Sequence, residues 1–218
     1  LYVNDPVAVT AEGTPVRIVR NAETNLGDLC ADADRALSNA DIAFVNGGGI
    51  RKQIEAGDIT LDDIYSVHPF GNTMCVIRVT GQQVLDALEW GARAVPSENG
   101  GFLQVSGLTY EIHTGVASSA EKDENGMFTR VSGEYRVKNV MVGGQPLELD
   151  KTYTLASHNY MLLGHGDGYT MFDGCEVLGE DMMVDNQVLI TYITTTLGGV
   201  VGEQYANPYG DGRIVAVE

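Results

Sequence analysis

The apolar run Ile42-Ala43-Phe44-Val45 passes without a break into Asn46-Gly47-Gly48-Gly49-Ile50-Arg51, and this junction constrains the chain more than any other stretch. It reads as a strand that ends in a glycine-rich turn closed by a guanidinium. Three successive glycines admit positive φ and let bare N–H groups approach an anion, while a planar arginine fork meets two phosphate oxygens at once. The same residues also serve as a plain strand exit with Arg51 in solvent, so the turn by itself leaves both readings open.

The rest of the chain supplies a core for such a turn. Leu26, Leu29, Cys30, Ala33 and Leu37 recur at helical spacing behind Thr24 or Asn25 as N-cap. Thr60 precedes an acidic helix start at Leu61-Asp62-Asp63, and Thr80-Gly81-Gln82-Gln83 reads as a capping box for a helix through Val84, Leu85, Leu88 and Ala92. Beyond Phe102 the period shortens to that of strands: 107–113, 136–142, 147–149 after the Gly143-Gly144 turn, and 153–156. Residues 118–133 read as a surface excursion or loose hairpin, 185–197 as a last helix and 213–217 as a last strand. Helices early, strands in the middle and both at the end predict an α+β fold. A single domain is expected over 1–218, with 1–16 a loose lead-in.

Composition narrows the function. With 13 basic against 30 acidic residues and a formal charge of −17, a nucleic-acid polymer is a poor partner, although a few arginines can still build a local pocket for a small anion. No apolar run approaches the roughly 20 residues of a membrane helix, so no membrane insertion by this segment is expected. Cys30, Cys75 and Cys175 stand apart in sequence and read as plain thiols, the first two buried. The four histidines include no pair at one-turn spacing, and a metal site from His158, His165 and Asp167 matches no common ligand pattern. Gly164, Gly166 and Gly168 do not make a dinucleotide fingerprint. The opening Leu1-Tyr2-Val3, without initiator Met or signal-like segment, is read as a start between domains.

Five separated segments together carry a family resemblance: Arg20 with Glu23-Thr24-Asn25-Leu26-Gly27-Asp28-Leu29, then Asn46 to Arg51, His68-Pro69-Phe70-Gly71-Asn72, Gly101-Phe102-Leu103-Gln104-Val105-Ser106-Gly107, and Gly166-Asp167-Gly168-Tyr169. In this order they resemble the C-terminal, substrate-binding domain of the 5'-nucleotidase, UDP-sugar hydrolase and 2',3'-cyclic phosphodiesterase family. The resemblance implies layered mixed β-sheets flanked by helices. It also implies an N-terminal metallophosphoesterase domain with two divalent ions of the Zn or Mn type, whose Asp-x-His and Asn-His-Asp/Glu motifs do not occur here. The chain is therefore expected to bind a nucleotide or nucleoside, to hold no cofactor and no catalytic residue of its own, and to be inactive alone. Domain closure would carry substrate to the metals, in an extracytoplasmic setting.

Residue by residue, the resemblance places Arg20 and Arg51 on phosphate, with Gly48 and Gly49 in the cradle. Asn46 is given to the base or sugar, although an Asn here also caps its own turn. Asp167 is given to the ribose hydroxyls. Phe102, on a stem of Gly100 and Gly101, is expected to be an exposed stacking platform. The family's second ring falls at Met161, with Tyr160 as the neighbouring substitute, and His165 stands where glycine is usual. These departures weaken the case for tight adenine sandwiching and keep open a phosphoesterase for cyclic nucleotides, nucleotide-sugars or a non-nucleotide phosphate; a stand-alone nucleotide-binding or surface module without a catalytic partner is the other alternative.

Overall fold

Unbroken burial along the apolar strands at 42–46 and 103–106 gives a central sheet with two covered faces in the computed structural model, which describes Ala8–Val9 and residues 15–218. Two short strands, β1 (Ala8–Val9) and β2 (Pro15–Val16), pair antiparallel. The rest of the lead-in expected over 1–16 lies outside the described residues. The chain continues through α1 (Asn25–Ser38), β3 (Ile42–Asn46), α2 (Leu61–Val67), β4 (Met74–Thr80) and α3 (Gly81–Ala92). Next come β5 (Leu103–Ser106), β6 (Leu108–His113), the hairpin of β7 (Ala120–Lys122) and β8 (Phe128–Val131), and the hairpin of β9 (Val137–Val142) and β10 (Gln145–Pro146). It closes with β11 (Thr152–His158), the single turn α4 (Asn159–Leu162), β12 (Glu176–Gly179), α5 (Asp185–Thr191) and β13 (Ile214–Val217).

These strands form a five-stranded mixed sheet in the order β12-β4-β11-β3-β5 and a four-stranded one in the order β10-β9-β6-β13. Ile42, Phe44, Ile77, Val79 and Leu155 point from the first sheet towards α3 and the second sheet, forming the larger core with Leu88, Trp90 and Tyr110. Val45 and Met74 point the other way, onto α1, α2 and α5, where Leu26, Leu29, Ile64, Val188 and Leu189 are buried. Each fully buried side chain of this size contributes about 1.5–3 kcal/mol. The chain crosses from one sheet to the other at Gly107, whose φ of +81° and approach to the Asp41 carbonyl exclude a side chain. The layered α+β arrangement expected from the sequence is the one observed.

Local chemistry sets the boundaries. Thr24 caps α1 by accepting from Gly27 N at 3.1 Å, and Thr60 with Asp63 and Thr80 with Gln83 form capping boxes on α2 and α3. The expected helix 185–197 stops as regular α-helix at Thr191 and widens into a π-type turn over Tyr192–Thr196. There Thr194 and Thr195 hydroxyls bond back to the carbonyls of Ile190 and Thr191, competition that loosens a helix end. The expected strand at 147–149 is replaced by β10, because the Gly143-Gly144 turn is so tight that pairing resumes at Gln145, opposite Val142. The edge strand β12 and the turn α4 carry no clear sequence period, and neither was expected. Cys30 and Cys75 are buried, Cys175 is half-buried, and all three are free.

Glu23 ties the segment before α1 to the start of β13. Its buried carboxylate accepts from Asp211 N at 2.6 Å, Gly212 N at 3.0 Å and Ile214 N at 2.7 Å, fixing the entry to β13 against the start of α1. Glu23→Ala leaves three backbone donors without this acceptor and should cost about 2–4 kcal/mol in urea denaturation. A loss below about 1 kcal/mol would mean that the clamp is dispensable. Asp34 on α1 generates a second prediction: burial first, and then the nearby Asp185, push its carboxyl up to about 8. A raised folded pKa gives stability that is complete below the unfolded value and drains away as pH climbs towards about 8. Asp34→Asn keeps the neutral shape and should gain on the parent chain by up to about 1.4 kcal/mol per pH unit across that range, read from denaturation midpoints at mildly acidic and mildly alkaline pH.

Candidate ligand-binding site

Three segments meet at the C-terminal end of β3 because their backbones touch. Gly47 N donates to Phe102 O and Gly48 N to Gly100 O, each at 2.7 Å, and Gly49 N turns back to Asn46 O at 2.9 Å. A Cβ at Gly47 would lie 2.0 Å from the Val19 carbonyl, and one at Gly48 2.9 Å from the Gly100 carbonyl. None of the three glycines has a left-handed φ. The expectation of a positive-φ cradle offering bare N–H groups through Gly48 and Gly49 is therefore corrected. The triplet permits close approach, and its N–H groups are consumed by the chain itself.

That approach builds a cleft of about 400 Å³, lined by Arg20, Asn46, Gly48, Gly49, Arg51, Phe70, Asn72, Gly100, Tyr160 and Asp167. Its size suits a small molecule. Arg20 ends a short 3₁₀ turn (Ile18–Arg20) that is held from beneath by Gln104. This fully buried side chain donates to the carbonyls of Val19 and Ala22 and accepts from Thr24 N. Arg20 Nη1 meets Glu98 Oε1 at 3.1 Å, and the Arg17 guanidinium binds the same oxygen while its backbone N–H donates to Oε2. Burial and then Arg17 lower the Arg20 pKa, with Glu98 opposing and Arg51 adding to the fall. Arg51 is exposed, bonds to Gly48 O at 3.1 Å and lies 5.7 Å from the centre of the Phe70 ring. The two arginines singled out in the sequence thus share one cleft, with Arg17 beside them and Glu98 as the carboxylate between Arg17 and Arg20.

The aromatic residues of the cleft are not those expected. Phe102 is 0% exposed, sealed in the larger core, so its role as a stacking platform is corrected. Its flanking glycines are there for backbone packing: a Cβ on Gly101 would press on the Asp167 side chain, and Gly101 O accepts from the Tyr169 hydroxyl. Met161 is also 0% exposed. Adjacent residues on a helical turn point about 100° apart, so α4 can present only one of Tyr160 and Met161, and it presents Tyr160, 44% exposed. The other ring is Phe70, 61% exposed, in the segment His68-Pro69-Phe70-Gly71-Asn72. That segment was legible as a motif, but its ring and Asn72 were given no role; an aromatic between Pro69 and a left-handed Gly71 was the available signal.

Asp167 lies at φ +56° in the Gly166–Gly168 turn, a left-handed conformation that Asp tolerates better than most side chains. Asn46 Nδ2 donates to its Oδ2 at 2.5 Å, and the Tyr160 hydroxyl reaches Oδ1 at 3.3 Å. Asn46 Oδ1 meets His158 Nε2 at 2.9 Å, so the Asn46 amide is committed on both sides. Burial pushes the His158 imidazole down to about 4 and that of His68 down to about 3, which leaves both neutral at neutral pH. His165 pairs with Asp173, and among the described residues His158, His165 and Asp167 do not bring their ligand atoms close enough together to share an ion.

Known proteins share both the sequence and the architecture that carry this cleft. Residues 6–174 match the family model described as 5'-nucleotidase, C-terminal domain. The chain is 36% identical over 203 residues to the trifunctional nucleotide phosphoesterase protein YfkN of Bacillus subtilis, a match covering 91% of this chain and 13% of that protein. It is 34% identical over 176 residues to the 5'-nucleotidase of Vibrio cholerae, covering 81% of this chain and 28% of that one. The crystal structure of the 5'-nucleotidase precursor from Thermus thermophilus aligns with a TM-score of 0.76 at 32% identity, over 92% of this chain and 36% of that chain. The chain spans only 13% and 28% of the length of these two curated relatives. On sequence and on fold alike, it belongs to the 5'-nucleotidase C-terminal domain family.

Proposed function

We propose that this chain is the substrate-reading part of a nucleotide phosphohydrolase that releases phosphate from nucleoside 5'-phosphates, with the bond-breaking step on a separate metallophosphoesterase domain. The observation that carries the reading is the joining of guanidiniums, exposed rings and a carboxylate in one cleft. Arg20 and Arg51 offer charge to phosphate. Phe70 and Tyr160 offer ring faces to a base, and Asp167 offers acceptor lone pairs to ribose hydroxyls. The short share of its relatives' length that the chain covers supports a further domain in the working protein.

Two divalent ions of the Zn or Mn type belong, on this reading, to that other domain. Among the described residues one group of carboxylates, Glu23, Asp28 and Asp211, is close enough to share an ion. It is already spanned by Arg213, which lies 3.5 Å from Asp28 and 2.9 Å from Asp211, and Glu23 is spent on backbone amides. These residues fit a structural ion-pair network and not a catalytic metal pair, so no chemical step is assigned to them. An extracytoplasmic location goes with the proposal; among the described residues no helix is long and apolar enough to cross a membrane.

Calorimetry with adenosine and AMP tests the cleft. Stacking of a base on an aromatic side chain is worth about 1–3 kcal/mol, so Phe70→Ala and Tyr160→Ala should each weaken both ligands by roughly ten-fold. Arg51→Met should weaken AMP by about ten-fold and spare adenosine. Equal loss of both ligands in Arg51→Met would remove the phosphate role. The isolated chain, given Mn²⁺ or Zn²⁺ and AMP, should release no phosphate above the metal-only control; sustained turnover would overturn the division of labour.

A further inference from the structure

The Asn46 side chain stands between a buried imidazole and a carboxylate of the cleft, 2.9 Å from His158 Nε2 and 2.5 Å from Asp167 Oδ2. Topology places it there. β3 and β11 run parallel, with Ile42 opposite Leu155 and Ala43 opposite Ala156, so Asn46 and His158 leave the sheet at the same end. His158 is 4% exposed, and its buried Nδ1 makes no hydrogen bond of good geometry, its own backbone being the polar group that acts on the ring.

A primary amide fits its socket in either of two orientations, and the hydrogen inventory around it selects one. With the ring proton on His158 Nε2, Asn46 Oδ1 must face the imidazole and its N–H must face Asp167. With the proton on Nδ1, Nε2 becomes an acceptor and the amide turns over. Asn46 Oδ1 would then stand against the Asp167 carboxylate, acceptor against acceptor, at a separation where the two repel. Every donor in the chain His158, Asn46, Asp167 therefore points towards the carboxylate only in the first arrangement. The Tyr160 hydroxyl supplies the donor to the other carboxylate oxygen.

We infer that His158 is a positioning residue for nucleoside recognition: through Asn46 it fixes the orientation of Asp167, so that the acceptor capacity of Oδ1 beyond its bond from Tyr160 is held in the cleft for ribose hydroxyls. The inference rests on the ribose role proposed above for Asp167. His158 itself touches no ligand. Its contribution is to make one amide orientation the only satisfied one, so that the carboxylate is held before a nucleoside arrives.

Titrating the full 218-residue chain with adenosine and with 2',3'-dideoxyadenosine separates the two levels. The parent chain should bind adenosine about ten-fold more tightly, since hydrogen bonds to a charged acceptor are at stake. His158→Leu should bring adenosine down to the level of the dideoxy compound, whose own affinity stays the same because stacking on Phe70 and Tyr160 does not use the carboxylate. His158→Gln places an amide N–H where the ring nitrogen was and should restore most of the difference. If the parent chain does not distinguish the two ligands, the ribose role falls and this inference with it. If both the parent chain and His158→Leu distinguish them equally, the positioning role alone is wrong. Should His158→Leu fail to fold, ¹⁵N NMR of the parent imidazole decides: a proton on Nε2 is required, and one on Nδ1 overturns the assignment.

Discussion

Contact between two backbones without side chains is the constraint from which the rest of this site follows. Gly47 and Gly48 bring the end of β3 within hydrogen-bonding distance of residues 100–102, and Gly47 lies directly against the Val19 carbonyl. A methyl group at Gly47 would need the Val19 backbone to retreat, and Arg20 is the next residue. Arg20, Arg51 and Gly100 are therefore gathered by close packing of three chain segments, not by attraction among their side chains. Close packing of this kind is stiff, because the interior has no slack into which a displaced strand can move.

The site also occupies a predictable place in the sheet. Ligands of open sheets with parallel strands bind beyond the carboxyl ends of those strands, where successive chains turn away and leave a crevice. In the five-stranded sheet the parallel pair is β3 with β11, and their carboxyl ends carry Asn46 and His158, followed by the glycine turn on one side and the Tyr160 turn on the other. Buried polar groups beneath the crevice hold its walls. Gln104 ties down the segment that bears Arg20, and the His158 imidazole, kept neutral by burial, sits under Asn46. Such groups are costly to bury unless satisfied, so each one that is satisfied also restricts the backbone to one arrangement.

The layered fold was legible because its signals are local: capping at Thr24, Thr60 and Thr80, helical spacing in α1 and α3, and alternation in the strands of the second sheet. The sites of failure are equally local. Residues 192–196 belong to the helix expected over 185–197, yet their β-branched and aromatic composition favours helix poorly and threonine hydroxyls redirect the backbone bonding. Within the site, Arg51 and Asp167 were legible as charged residues at glycine-rich turns, and Arg20 by its spacing ahead of Asn25 in the family resemblance. Phe102 was misread because the glycines before it suggest a mobile ring, whereas these glycines exist to let Gly48 and Asp167 come near. Spacing along the chain does not distinguish a glycine that frees a backbone from one that makes room for a neighbour. Tyr160 and Met161 show the same limit, since which of two adjacent residues faces the ligand depends on the phase of a four-residue helical turn.

Charge supplies the last step. A chain of formal charge −17 would repel a nucleotide if its field acted as a whole. At physiological ionic strength, however, exposed charges more than about 8 Å away are largely screened, so the ligand responds to what lines the cleft and not to the sum. The charged groups that line it are Arg20, Arg51 and Asp167, and outside the lining Glu98 is shared between Arg20 and Arg17. Glu98 keeps two guanidiniums in place without neutralising both, and partial burial of Arg20 strengthens what remains of its field. An anionic group entering beside Arg51 therefore meets net positive charge at short range, while Asp167, in the same cleft, already takes donors from Asn46 and Tyr160. On the function proposed above, this division of charge would order a nucleoside phosphate in the cleft, its phosphate towards the arginines and its ribose towards Asp167.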